Sequence, residues 1–242
     1  KIQGFINDLG KPKGDKKGLS PKTVKCIHGI LHKALQQAVV VGYLRFNPAD
    51  NCALPRSARK EIKPLDSGDI SRFLKAIQGD SFETIFLTTL FTGMRRGEVL
   101  GLTWDCVDLE RGHILINKQL QNIPGKPGEY HLVPTKNSKG RMITVAPSVV
   151  SILKKHRAHQ SEMRLLVGSM WEDSGLVFTD DLGHHLAPST MYHHYKKIVA
   201  SIGFPNARFH DLRHSYAVAA IRAGDDIKTV QGNLGHYTAS FT

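Results

Sequence analysis

Three groups of residues in this 242-residue chain carry chemistry beyond ordinary structural use. The first is Thr92-Gly93-Met94-Arg95-Arg96-Gly97-Glu98, where a Thr-Gly break precedes two arginines at the start of a helical stretch. The second is Lys136, in the polar turn Lys136-Asn137-Ser138-Lys139-Gly140. The third is His210-Asp211-Leu212-Arg213-His214, with Leu234-Gly235-His236 further on. Two arginines, a lysine and two imidazoles suit a metal-free pocket for a phosphodiester. Guanidinium forks bind the non-bridging oxygens, and their charge stabilises a pentacoordinate phosphorane. A lysine can protonate a leaving oxygen, and imidazoles relay protons near neutrality.

Each group also has a plainer reading. Arg95 and Glu98 have the spacing of an i,i+3 ion pair, and a lysine in a polar turn is often only solvated. His210 and His214 have the i,i+4 spacing of a metal pair. The glutamate of an HExxH motif is replaced by Asp-Leu-Arg, however, and an arginine would repel a cation. His156, His159, His184, His185, His193 and His194 read as surface, capping or core residues. Neither GxxxxGK[ST] nor GxGxxG occurs, which disfavours nucleotide hydrolysis. No metal and no cofactor are called for.

The elements that position these groups follow from local signals. Ser20-Pro21 is a helix start, and Val24, Ile27, Leu31, Ala34, Leu35 and Ala38 recur at helical spacing after it. Gly42 and Asn47-Pro48 end that helix in a turn. A capped helix is predicted over 66–77 and an apolar one over 82–90, broken by Thr92-Gly93. Residues 113–117 read as a strand. Residues 130–133 and 142–145, joined by the Lys136–Gly140 turn, read as a β-hairpin. Helices are predicted over 147–159, 188–202, 209–223 and 225–231. The fold class is mainly α with one small antiparallel sheet (α+β).

Charge divides the chain. There are 33 Lys and Arg against 21 Asp and Glu, for a net charge of +12. Thirteen of the basic and four of the acidic residues precede Pro64, so most of the excess lies there. The basic stretch between Pro55 and Pro64 reads as an interdomain linker. Such a charge makes a polyanion the first partner to consider. No apolar run is long enough for a membrane span, and no signal peptide is recognisable at the start. The scattered cysteines Cys26, Cys52 and Cys106 fit a reducing cytoplasm better than a disulfide framework.

Taken in order, TGMRRGEVLGL, a lysine hairpin, HDLRHSYA and LGH resemble the catalytic domain of the tyrosine recombinases, the phage integrase family. LSPKTVKCIHGILHKALQQAV with NPAD resembles that family's helical core-binding domain, in a style nearest to the integrases of conjugative transposons. The resemblance implies a two-domain clamp on DNA. Residues 1–56 are the core-binding domain, N-terminally incomplete; 57–63 are a basic linker, and 64–242 the catalytic domain. It implies that Arg95, Lys136, His210, Arg213 and His236 are catalytic, with Lys136 as general acid to the leaving 5′ oxygen (Lys139 if the register shifts). Glu98 and Asp211 support them. Lys22, Lys25, Arg59, Lys60, Arg96, Lys139 and Arg141 are the expected DNA contacts.

The family's nucleophilic tyrosine falls about nine residues after the last histidine. That places it beyond Thr242, and Tyr237, Tyr192, Tyr195 and Tyr216 do not match it. The implied activity is ATP- and metal-independent site-specific recombination for a mobile element, through a 3′-phosphotyrosine and a Holliday junction. The implied partners are double-stranded DNA and three further copies on synapsed sites, with a monomer or dimer on single sites and an accessory directionality factor. The implied location is the bacterial cytoplasm, at the nucleoid when DNA is bound. A type IB topoisomerase, a non-catalytic DNA- or RNA-binding protein and a metal phosphodiesterase are the alternatives. A requirement for two matched DNA sites separates the first, lack of a covalent adduct the second, and sensitivity to EDTA the third.

Overall fold

The computed structural model describes residues 1–56, 65–126, 128–135 and 140–235. The chain divides into two compact units, Lys1–Glu61 and Ile62–Thr242. Among the described residues no helix is long and apolar enough to cross a membrane.

In the first unit, α1 (Ile2–Leu9) packs on α2 (Pro21–Val40). Ser20 caps α2 by accepting from the Thr23 amide, and Pro21 occupies the first helical position, where its missing N–H costs nothing. The buried apolar set is small: Ile6, Val24 and Ala49. Polar side chains do much of the fastening. His28 and His32, one helical turn apart on α2, bond Ala49 O at 3.0 Å and Asp50 Oδ1 at 2.8 Å. Buried Asn47 donates to His32 O and accepts from the Ala49 amide, which turns the 47–50 segment onto the helix.

The second unit is built around α4 (Glu83–Thr92), with α3 (Ser67–Ile77), α7 (Pro188–Ser201) and α8 (Phe209–Arg222). Each helix gives one ring to a common aromatic cluster: Phe73, Phe86, Tyr195 and Phe209, with centroids 5.5 to 6.3 Å apart. Removing any one ring from such a site costs about 3–5 kcal/mol. Helix α4 also buries three threonines, whose hydroxyls donate to the carbonyls four residues back (Thr88 to Thr84, Thr89 to Ile85, Thr92 to Thr88). None of the three hydroxyls is therefore left unsatisfied in the core.

Five short strands follow α5 (Arg96–Leu100): β1 (Val107–Asp108), β2 (His113–Ile116), β3 (Lys118–Asn122), β4 (Tyr130–Pro134) and β5 (Arg141–Thr144). Two antiparallel sheets result, ordered β1-β2-β5 and β3-β4. The expected hairpin between residues 130–133 and 142–145 is corrected here. β4 pairs with β3 (Lys118 opposite Pro134), whereas β5 pairs with β2 (Ile116 opposite Arg141). The Thr135 amide donates to Asn117 O at 3.1 Å, so β4 and β5 lie end to end along one long neighbour, β2–Asn117–β3. The residues that separate the two strands thus connect two ladders instead of closing one; 136–139 lie outside the described residues.

Helix α6 (Pro147–Val167) packs on α4, buries Val149 and Leu153, and runs beyond the 159 limit expected from the sequence. Helix α9 (Ile227–Leu234) docks on α8 through Ala217, Ala220, Val230 and Leu234.

Candidate active site

Arg95 is placed by the break after α4. Gly93 ends the helix in the left-handed region (φ +64°), and a Cβ there would lie 2.5 Å from Tyr216 Cδ1 and 2.7 Å from Leu234 Cδ2. Only glycine fits both the dihedral and the space. The chain then restarts as α5, whose backbone lies hard against β3: a Cβ at Gly101 would meet Leu120 N at 2.5 Å. Arg95 is the N-cap of α5 and Glu98 its third residue. The Glu98 carboxylate accepts from the Arg95 amide (2.8 Å) and from Arg95 Nη1 (2.7 Å).

Glu98 is 1% exposed and has a second cationic partner. Arg141 forks onto it, Nη1 to Oε1 at 3.0 Å and Nη2 to Oε2 at 2.7 Å. Burial alone would raise this carboxyl. The hydrogen bonds and charge of Arg141, joined by those of Arg95, more than reverse that and hold its pKa at about 2. Glu98 is an anion at neutral pH.

The end of α9 gathers three guanidinium groups. Arg141 Nε donates to Asn233 O at 2.7 Å, Arg213 Nη2 to Leu234 O, and Arg95 Nη2 to Gly235 O at 3.3 Å. These carbonyls lie at the helix C-terminus, where intrahelical donors run out and the dipole favours cations. Arg213 is 2% exposed and also donates to Gly93 O at 2.6 Å. Burial lowers its pKa, as do the charges of Arg95 and Arg141, to about 9, so it stays protonated at neutral pH. Three cations against one carboxylate leave this place electropositive, the balance an anionic ligand requires.

Helix α8 carries His210, Asp211, Arg213 and His214. Asp211 accepts from the Arg208 amide (2.8 Å) and side chain (2.8 Å), which fixes the first turn. Ser215 Oγ donates to Asp211 O and accepts from the Leu65 amide, anchoring that turn to the chain two residues before α3. The rings of His210 and His214 meet edge to face at 4.9 Å. Partial burial, then the charges of His214, Arg213, Arg208 and Arg95, pull the His210 pKa down to about 4. His210 is exposed to solvent, which screens part of this effect. An NMR titration of the DNA-free protein is expected to give a His210 midpoint below its ordinary 6.5, toward about 4. A midpoint at 6.5 or above would refute a neutral imidazole at physiological pH.

Arg95, Glu98, Arg213, His210 and Asp211 thus lie on adjoining elements of one unit. Arg59, Lys60, Lys136, Lys139 and His236 lie outside the described residues. Lys22 and Lys25 are exposed on α2, in the first unit. Arg96 is exposed, 5.8 Å over the Tyr192 ring, beside a groove lined by Gln121, Asn122, Ser189 and His193. Arg141, an expected DNA contact, has a side chain 13% exposed and turned onto Glu98 and Asn233. The sequence carries the signal for this. Arg141 stands two residues before Ile143, on the same face of β5, and Ile143 is buried. Tyr195 is fully buried and donates to Arg208 O, with its pKa raised by burial, so it is no nucleophile. Tyr216 Oη accepts from Asn233 Nδ2 at 3.1 Å.

Comparison with known proteins places the chain among relatives. Residues 63–242 match the phage integrase family. A tyrosine recombinase XerC-like protein of Caldanaerobacter subterraneus subsp. tengcongensis is 30% identical over 257 aligned positions, covering all of this chain and 64% of its own length. The ICEBs1 integrase of Bacillus subtilis is 27% identical, covering 93% of this chain and 61% of its own length. The chain therefore spans less than two thirds of these relatives. The Tn1549 transposon integrase, solved with transposon right-end DNA, has the same fold. Its TM-score is 0.82 at 22% identity, over 99% of this chain and 77% of that one.

Proposed function

The chain belongs to the phage integrase family, and from that membership we propose that it is the DNA-binding and catalytic part of a site-specific tyrosine recombinase of a mobile genetic element. The observation that carries this reading is the electropositive site where Arg95 and Arg213, distant in sequence, flank a carboxylate-held turn beside His210. Double-stranded DNA is the substrate. Residues 1–56 form the core-binding domain, 57–63 the linker and 64–242 the catalytic domain. The family match from residue 63 and the two compact units support that division. Lys22, Lys25 and Arg96, exposed as they are, suit contact with the DNA backbone.

In the proposed reaction a tyrosine hydroxyl attacks the scissile phosphorus. The bond from phosphorus to O5′ breaks, leaving a 3′-phosphotyrosine and a 5′ hydroxyl that takes its proton from Lys136. Arg95 and Arg213 neutralise the charge on the non-bridging oxygens. His210, as a neutral imidazole, accepts the tyrosine proton or a hydrogen bond. His236 completes the set. The 5′ hydroxyl of a second duplex then attacks the phosphotyrosine, so bond energy is kept without ATP. Four copies on two synapsed sites, monomers or dimers on single sites and an accessory directionality factor complete the scheme, in the bacterial cytoplasm.

The test is a nicked suicide duplex of the cognate site, incubated with the full-length protein in EDTA. An SDS-resistant adduct on a tyrosine C-terminal to His236, lost in Arg95→Ala, is expected. Tight, salt-sensitive binding without an adduct would leave a DNA-binding protein only. Cleavage and resealing on single sites, with no need for a second matched site, would indicate a topoisomerase.

A further inference from the structure

We propose that Arg141 is a positioning residue of the site, one that locks the Glu98 carboxylate against Arg95 and holds the end of α9 that leads to His236; the role rests on the recombinase reading. Arg141 opens β5, opposite Ile116, and its guanidinium makes three contacts of two kinds. Two nitrogens fork onto both oxygens of Glu98 (3.0 and 2.7 Å), and Nε donates to Asn233 O (2.7 Å). The fork fixes the rotation of the carboxylate, so Oε1 and Oε2 stay aimed at Arg95 Nη1 and the Arg95 amide. Without it, Glu98 could turn away and Arg95 would lose its fixed orientation.

The stem of Arg141 matters as much as its head. Gly235, the last described residue before His236, is left-handed (φ +63°), and a Cβ there would lie 3.1 Å from Arg141 Cδ. The turn is seated directly on the arginine. Immediately before Arg141, Gly140 lies against Asn117, whose carbonyl receives the Thr135 amide. Both described ends of the stretch holding Lys136 therefore meet at one residue, and Arg141 is the next side chain along. One arginine thus joins three sequence-distant parts of the described structure: the start of β5, the Glu98–Arg95 pair, and the Asn233–Gly235 turn. With its guanidinium engaged by Glu98 and Asn233, Arg141 acts through these neighbours.

The experiment measures single-turnover adduct formation and DNA affinity for Arg141→Lys and Arg141→Met in the full-length protein. Both variants keep a stem against Gly235. Neither offers a planar fork, and a point donor cannot span Glu98 and Asn233 together. Cleavage is expected to fall about 100-fold, the scale of a misplaced catalytic group, while DNA affinity stays within about threefold. Because both residues act on one carboxylate, Glu98→Gln combined with Arg141→Lys is expected to cleave within about threefold of the slower single variant. Parent-like cleavage by Arg141→Lys, losses in cleavage matched by losses in DNA binding, or additive losses in the double variant would each overturn the inference. An unsubstituted protein that forms no adduct on cognate DNA would overturn the recombinase reading and the inference with it. A parent that cleaves beside an equally active Arg141→Lys would overturn the inference alone.

Discussion

Arg213→Lys is expected to lower single-turnover cleavage by about 10³-fold or more, the scale seen when an arginine that stabilises charge in phosphoryl transfer is removed. The charge survives in this variant, so the loss isolates what the guanidinium does. Arg213 reaches Gly93 O with one terminal nitrogen and Leu234 O with the other, from a position 2% exposed. A lysine ammonium reaches one of these at most. The other carbonyl is then buried without its donor, at a cost of about 1–3 kcal/mol. Arg213→Ala strands both and opens a cavity, with an expected loss of about 3 kcal/mol or more. Urea unfolding followed by tryptophan fluorescence measures this, since Trp104 and Trp171, the two tryptophans, both lie in the second unit. Because Gly93 precedes Arg95 by two residues and Leu234 precedes His236 by two, the same contacts that stabilise the unit also set the geometry of the site. Full cleavage by Arg213→Lys would show that charge alone suffices.

What the sequence made legible was local. Ser20-Pro21, Asp66, Pro147 and Pro188 begin helices through capping chemistry within four residues, and Gly93 ends one through its own dihedral. The ordered arginine and histidine groups were legible because each lies in one turn: Arg95 with Glu98, and His210 with Arg213. Pairing of distant segments was not. A Lys136–Gly140 turn says that the chain leaves its line but not which strand lies beside it, and β2, some twenty residues earlier, took β5. Helix α6 outran its expected end because residues beyond His159 are mostly exposed and show no apolar stripe. Arg141, expected to contact DNA, has its side chain 13% exposed and turned onto Glu98 and Asn233. Only the period-two alternation with Ile143 reveals that it faces inward, where an arginine must find an anion.

Glu98 is that anion, and its removal has the second large expected effect. Glu98→Gln keeps the shape but places an amide donor among guanidinium donors, leaving Arg95, Arg141 and Arg213 with no carboxylate between them. The sign of the pH dependence follows from the pKa. In the folded protein the carboxyl sits at about 2, below its ordinary 4.5, so the unfolded chain takes up the proton first as pH falls. The stability that Glu98 contributes, on the order of 3 kcal/mol, is therefore fully present above about pH 5 and is lost as the pH drops toward 2. Glu98→Gln lacks this contribution at every pH. Urea unfolding at pH 7, 5 and 3 is expected to show parent and variant far apart at pH 7 and 5 and converging at pH 3. Other depressed carboxyls, such as Asp105 and Asp180, titrate alike in both proteins and cancel in the difference. A gap that stays constant down to pH 3 would mean that Glu98 acts by packing, not by charge. Cleavage at pH 7 is expected to fall about 10²–10³-fold in the same variant, since Arg95 loses its anionic partner and faces an amide in place of one carboxylate oxygen.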